Sequence, residues 1–184
     1  CSSCSISSAI LCNVFFSITI LVDGYLCKQG IQFTIVHNSK QNETILEVFN
    51  DMKRCLTKRG ERHAARMAKW LDRQLHERVK IFCSPADRCI QTVQPLGRKF
   101  KIKEELSIHY DHSDLLTLSQ WPNAKSTVLI VGHQPTLGFA IGQALGIREI
   151  SFSIKRGSVW WLRSSDSGEE YHANLVTIQS PELL

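Results

Sequence analysis

Val128-Leu129-Ile130-Val131-Gly132-His133-Gln134-Pro135 is the stretch on which the reading of the fold turns. Four consecutive β-formers describe a strand buried on both faces, the kind found in parallel sheets. The run stops at Gly132, where the lack of a side chain lets the backbone turn, and His133 follows just past the carboxyl end of the strand. Pro135 suits the first turn of a helix, where a missing N–H costs nothing. Leu137, Ile141, Ala144 and Leu145 then keep helical spacing until Gly146, a C-cap residue. The stretch predicts a strand–turn–helix unit with a histidine at the junction. Open α/β sheets bind ligands along that edge, and the N–H groups of a helix start attract anions. A histidine in such a place can also do no more than satisfy loop hydrogen bonds, so a functional role needs further residues.

A second unit of the same kind lies upstream. Val79-Lys80-Ile81-Phe82-Cys83 reads as a short strand and runs into Ser84-Pro85-Ala86-Asp87-Arg88-Cys89-Ile90-Gln91-Thr92. Ser84 as N-cap and Pro85 as first helical residue would start a helix at once. Arg88 then falls in the first turn, and because helical side chains lean toward the N-terminus its guanidinium is carried to the strand's carboxyl edge. A cation there opposes the helix dipole, which favours cations at the other end. The placement points to a bound anion, since a planar fork of donors matches phosphate oxygens; the bland alternative is a salt bridge to Asp87 or a neighbour. Cys83 is a poor nucleophile by spacing. Cysteine phosphatases put five residues between cysteine and arginine, whereas four separate Cys83 from Arg88, and Pro85 stands where a glycine-rich nest is needed. Cys83 is read as a buried apolar residue.

Between Asp51 and this unit, Thr57 is the natural N-cap of a helix running to about Leu75. Ala64, Met67, Ala68, Leu71 and Leu75 make its apolar stripe, with Arg62, Arg66, Lys69 and Arg73 on the solvated face. Downstream of the central stretch, Ile150–Ile154 and Ser158–Leu162 read as strands joined by Lys155-Arg156-Gly157, and Ala173–Ile178 as a last strand after a polar turn over Ser164–Glu170. Glu104, Glu105, Asp111 and Asp114 are acids that could reach a site rim as proton donor, but spacing singles out none of them.

Composition bounds the function. With 184 residues, 43% hydrophobic and 21% charged, the chain is long enough for one domain with its own core. The formal charge of +5 is uneven: residues 1–50 hold two basic and three acidic side chains, and the remainder 20 against 14, a net of +6. That excess suits an anionic substrate and is too weak to argue for nucleic acid. Seven cysteines without paired ligand spacing argue against a metal site and for reduced thiols, hence a cytoplasmic setting. Residues 1–22 carry no charge. Their apolar run Ala9–Val22 is short for a membrane span and is interrupted by Asn13, Ser17 and Thr19. The reading sets residues 1–30 apart as an atypical segment, foreign or an anchor, and places the domain at 31–184. Its first strand would be Ile31-Gln32-Phe33-Thr34-Ile35-Val36, with His37 directly after it.

From Asp51 to Leu184 the chain resembles the SixA-type phosphohistidine phosphatases, a short branch of the histidine phosphatase (phosphoglycerate mutase-like) superfamily. The resemblance rests on Leu56-Thr57…Gly60, Ser84-Pro85…Arg88…Gln91-Thr92, Val131-Gly132-His133-Gln134-Pro135 and Lys155-Arg156-Gly157-Ser158, in the family's order. It implies a three-layer α/β/α sandwich with a mostly parallel central sheet. It also implies a phosphatase without metal or other cofactor, acting on a phosphohistidine-bearing protein or a small phosphomonoester. In the family a histidine in an Arg-His-Gly or Arg-His-Ala motif after the first strand attacks phosphorus, and a second histidine and two arginines hold the phosphoryl oxygens. Arg88 matches the downstream arginine and His133 the second histidine, both as phosphate-binding residues. The nucleophile motif is not intact: its candidate is His37, in Val36-His37-Asn38, with valine where the arginine belongs. Arg62-His63-Ala64 imitates the motif but lies within the amphipathic helix. A damaged chain of this kind has a second expectation, a pseudophosphatase that binds phosphorylated partners. Neither nucleic acid nor a membrane is expected as a partner.

Overall fold

The computed structural model describes residues 16–22, 51–108, 110–147, 151–166 and 171–184. These build one six-stranded sheet from β1 (Phe16–Val22), β2 (Lys80–Cys83), β3 (Lys101–Ile102), β4 (Val128–Gly132), β5 (Val159–Asp166) and β6 (Tyr171–Gln179), in the order β3-β2-β4-β1-β5-β6. The first four in that order run parallel, β5 runs antiparallel to β1, and β6 antiparallel to β5. β4 is buried along its whole length, as a strand covered on both faces must be.

Helices α1 (Lys58–Gln74), α2 (Asp87–Val93), α3 (His112–Ser119) and α4 (Thr136–Ala144) flank the sheet. α1 starts where the sequence places it, with the Thr57 hydroxyl accepting from the Gly60 N–H at 3.2 Å, and buries Ala64, Met67, Ala68 and Leu71. The residues of β4 alternate between two cores. Leu129 and Val131 join α1 and α2 through Met67, Leu71, Cys89 and Val93. Val128 and Ile130 join α3 and α4 through Leu115, Leu116, Leu137 and Ile141. Helices on both faces of a mostly parallel sheet make the expected three-layer sandwich.

Several boundaries differ from the sequence reading. The segment 1–30, set apart there, contains β1, which pairs with β4 on one side and β5 on the other. Phe16-Ser17-Ile18-Thr19-Ile20-Leu21-Val22, the described end of that uncharged run, is an interior strand, and a strand inside a sheet has no need of charge. The expected strand over 31–36, and His37 after it, lie outside the described residues. Residues 151–155 are irregular although Ile150–Ile154 alternates like a strand; Ile154 is buried, and the Phe152 N–H donates to the Gly138 carbonyl at 3.3 Å. β5 extends to Asp166, into the stretch read as a turn. Pro135 and Leu145 cap α4, with Gly146 just beyond in the left-handed region at φ 76°. Helix α2 begins at Asp87 with Ala86 as its cap, so Ser84 is not the N-cap.

Candidate active site

One row of paired residues crosses the sheet and fixes the site's position. Cys83 pairs with Val131, Val131 with Leu21, Leu21 with Val159, and Val159 with Gln179. Beyond this row, at the carboxyl ends of the parallel strands, the chain delivers Ser84 from β2 and His133 from β4. Because β2 and β4 are parallel neighbours, their two strand–helix units stand side by side.

Arg88 and His133 converge there. The Arg88 Nη2 lies 3.0 Å from His133 Nδ1, and both side chains are buried, at 3% and 4% exposure. A guanidinium can only donate, so Nδ1 is the accepting nitrogen. The ring proton then sits on Nε2, which donates to the Ser84 hydroxyl at 2.7 Å. That bond is why Ser84 leaves the cap position: its oxygen orients the histidine from below and accepts only weakly from the Ala86 N–H, at 3.4 Å. Cys89 Sγ lies 3.7 Å from the same Nε2, on the buried face of α2. An arginine on Nδ1 opposes the build-up of positive charge that a general base of the serine-hydrolase type requires, so the Ser84–His133 contact is an orienting one.

Asp51 completes the cluster. Its backbone carbonyl accepts from Arg88 Nη1 at 2.6 Å and its Oδ2 from Nη2 at 3.0 Å, while Oδ1 accepts from Arg54 Nη1 at 2.8 Å. One carboxylate therefore brackets two guanidinium groups. Among the described residues the salt-bridge partner of Arg88 is Asp51, not Asp87. Gln91, one turn after Arg88, fixes this approach by accepting from the Leu56 N–H at 2.7 Å.

The structure thus brings Arg88 and His133 together as the sequence predicts. It places Ser84, Asp51 and Arg54 beside them, which the sequence reading missed. Ser84 was legible only as a cap, and Asp51 stands 37 positions from Arg88 with no periodicity to join them. His37 lies outside the described residues. His63 sits in α1 as expected; burial, with Arg59, Arg66 and Arg62 nearby, holds its pKa below the ordinary value despite Glu182. Two clefts, of about 410 and 730 Å³, open elsewhere, against Trp121 and Leu145 and against Trp70 and Trp161.

The mixed α/β fold with its mostly parallel sheet has its structural neighbours among the phosphoglycerate mutase-like histidine phosphatases. More narrowly, a family model described as the histidine phosphatase superfamily (branch 1) matches residues 39–112, a stretch that holds the Leu56–Gly60 and Ser84–Thr92 motifs of the resemblance. No curated protein sequence matches the chain. Among solved structures, a protein from Nakamurella multipartitia described as a phosphohistidine phosphatase SixA is 21% identical, with a TM-score of 0.62 over 91% of this chain and 96% of that one. The protein histidine phosphatase SixA complexed with tungstate is 20% identical, with a TM-score of 0.61 over 91% and 98%. A phosphoserine phosphatase from Entamoeba histolytica, in complex with 3-phosphoglyceric acid, is 14% identical, with a TM-score of 0.58 over 90% and 97%. At these identities the likeness is one of fold. Among the described residues no helix is long and apolar enough to cross a membrane.

Proposed function

We propose that this chain is a phosphatase of the histidine phosphatase type, which takes a phosphoryl group from phosphohistidine in a partner protein between Arg88 and His133. The observation that carries the reading is the 3.0 Å contact of these two buried side chains at the carboxyl ends of neighbouring parallel strands. A buried guanidinium fixed before the substrate arrives stabilises charge that develops on phosphoryl oxygens without reorganising, and His133 helps to hold it in place. Arg54, held by the same carboxylate as Arg88, adds positive charge beside them.

In the proposed reaction a histidine nitrogen of this chain attacks phosphorus while the substrate's P–N bond breaks and the leaving imidazole takes up a proton. Water then attacks the phosphoenzyme, releasing inorganic phosphate and restoring the histidine. His37 is the candidate nucleophile.

A second reading, a pseudophosphatase that binds phosphorylated partners with little turnover, is favoured by β1. The strand ends at Val22 and the sequence continues Asp23-Gly24-Tyr25, without a histidine or arginine where the family's motif follows its first strand. Loss of one transition-state donor costs about 10²–10³ in rate.

The test measures vanadate binding by calorimetry and hydrolysis of an aryl phosphate and of phosphohistidine. Vanadate binding with slow hydrolysis, lost on replacing His37 by Ala, supports a weakened phosphatase. Binding with no hydrolysis beyond that of the His37→Ala protein supports the second reading. Full activity surviving His37→Ala would sink the choice of nucleophile, and absent vanadate binding would sink the site.

A further inference from the structure

The row of residues beneath the Arg88–His133 pair continues across β1 to Val159 of β5 and Gln179 of β6. The turn before β5 and the segment after β6 therefore emerge at the same sheet edge as the proposed phosphoryl site. The turn is Lys155-Arg156-Gly157-Ser158, closed by the Ser158 N–H donating to the Lys155 carbonyl at 3.1 Å, with Gly157 in the left-handed region at φ 72°. The segment after β6 is Ser180-Pro181-Glu182, whose Pro181 carbonyl accepts from Arg66 of α1 at 3.3 Å. Glu182 reaches Lys155 Nζ at 3.0 Å and Arg59 Nη2 at 4.0 Å. The two cationic side chains remain 63% and 60% exposed in spite of this contact.

Two features set this group apart from an ordinary surface ion pair. Lys58 and Arg59 open α1, where the helix dipole disfavours cations, so they gain little from the fold itself. The single carboxylate is also held more firmly than its exposure would suggest. The Ser180 hydroxyl first and the Lys155 ammonium next keep the Glu182 carboxyl down at about 2. Lys155 thus engages the one carboxylate at this rim, while Arg59, 4.0 Å away, stays largely open to solvent.

Distance gives this surface a use. Neighbouring strands lie about 4.8 Å apart, so β5 stands about 10 Å from β4, and a substrate chain extended at about 3.3 Å per residue covers that span in about three residues. We propose that Arg59 and Lys155 form a docking rim for an acidic stretch flanking the phosphorylated residue of a protein substrate, and that Glu182 occupies the rim in the free protein as an internal stand-in for it. This rests on the phosphatase reading, because it takes the phosphoryl group to lie at Arg88 and His133. Release of Lys155 and Arg59 from Glu182 then accompanies docking, and a small phosphomonoester, which has no flanks, gains nothing from the rim.

The experiment uses the full chain and two fluorescein-labelled nonapeptides with a phosphonate analogue of phosphohistidine at the centre, one with glutamates three and four residues to either side, the other with glutamines. Anisotropy at low salt should show the acidic peptide binding more tightly to the wild type. Glu182→Gln should tighten that peptide about fivefold, as expected for removing an exposed competing carboxylate, and leave the neutral one alone. The doubly reversed Arg59→Glu, Lys155→Glu protein should lose the preference, and 0.5 M salt should erase it in the wild type. Equal affinities for the two peptides in wild type and Glu182→Gln, or a preference that survives the double reversal, would overturn the rim. Vanadate binding separates the two claims. If vanadate binds normally and the preference is absent, the rim alone fails. If the wild type binds no vanadate, the phosphoryl site fails, whatever the peptides do.

Discussion

Replacing Arg88 tests the site at its most constrained point. The guanidinium is 3% exposed, and among the described residues it contacts the Asp51 carbonyl at 2.6 Å, Asp51 Oδ2 at 3.0 Å and His133 Nδ1 at 3.0 Å. Arg88→Ala removes a charged donor that water cannot replace at that depth. Hydrogen bonds to charged groups contribute about 1.5–3 kcal/mol each, so losing even one bond to an oxyanion should cost about 2 kcal/mol, or about 30-fold in vanadate Kd. The variant should also lose stability, about 1–3 kcal/mol, because the His133 acceptor is left buried without its donor. Asp51 keeps Arg54 at 2.8 Å and is 23% exposed, so its carboxylate is not stranded. Arg88→Lys should recover only part of the affinity, because a point charge does not reproduce the fork. Asp51→Asn separates the roles: it weakens the same ion pair without touching the proposed anion donor, so it should lower the urea midpoint while vanadate binds no more weakly than before. Calorimetry and urea unfolding read the two effects independently. Equal vanadate affinity in wild type, Arg88→Ala and Arg88→Lys would refute the anion role and leave Arg88 as the structural partner of Asp51.

The remaining expectations are local. Ser84→Ala removes the acceptor 2.7 Å from His133 Nε2 in a fully buried position and should lower stability by about 1–3 kcal/mol, seen as a shifted urea midpoint at constant m-value; an unchanged midpoint would show that Ser84 does not hold the ring. Gly138→Ala places a methyl group 2.3 Å from the Phe152 carbonyl oxygen and 2.6 Å from Ser151 Oγ, so it should destabilise by about 1–3 kcal/mol in thermal unfolding, whereas alanine in an open helix interior would stabilise. Glu182 has a carboxyl held at about 2 against an ordinary 4.5, so its contribution is present in full above about pH 4.5 and is lost as pH falls through about 2. Its side-chain carboxyl resonance should accordingly stay unshifted at pH 4, and titration near 4.5 would contradict the contact with Ser180 and Lys155.

What could be read in advance was whatever local chemistry fixes locally. β4 is a run of four β-formers with no competing periodicity, and α1 joins a capping threonine to an apolar stripe, so both stand where the sequence places them. Arg88 and His133 were found because each breaks a local rule or ends a strand, and two parallel strand–helix units can only bring them together. Ile150–Ile154 failed for the opposite reason. Its alternation fits a strand, but residues 151–155 pack beneath α4 through Gly138 and take no place in the sheet, so tertiary packing overrides the pattern. Ser84 also obeys a local rule, the capping preference, and is drawn away from it by a histidine 49 residues on. Asp51 and Arg54 had no signal at all, because a carboxylate shared between Arg54 and Arg88 is a fact of three dimensions.

β1 decides how far the phosphatase comparison can be pressed. It lies between β4 and β5, and Val22 stands level with Gly132, so β1 ends at the edge where His133 and Arg88 meet. A nucleophile placed directly after such a strand is positioned by the sheet's own hydrogen bonds, and that rigidity is what in-line attack on phosphorus rewards. His37 comes fifteen residues after Val22. Reach is no obstacle, since that length extended spans about 50 Å. The ladder that pairs β1 with β4 is described as far as Val22, and His37 lies outside the described residues. In the proposed reaction phosphoryl binding is assigned to Arg88, inside α2, and to His133, directly after β4, whereas turnover is assigned to His37, fifteen residues past β1 in the sequence. The two capacities therefore rest on different parts of the chain, and a loss in one need not lower the other.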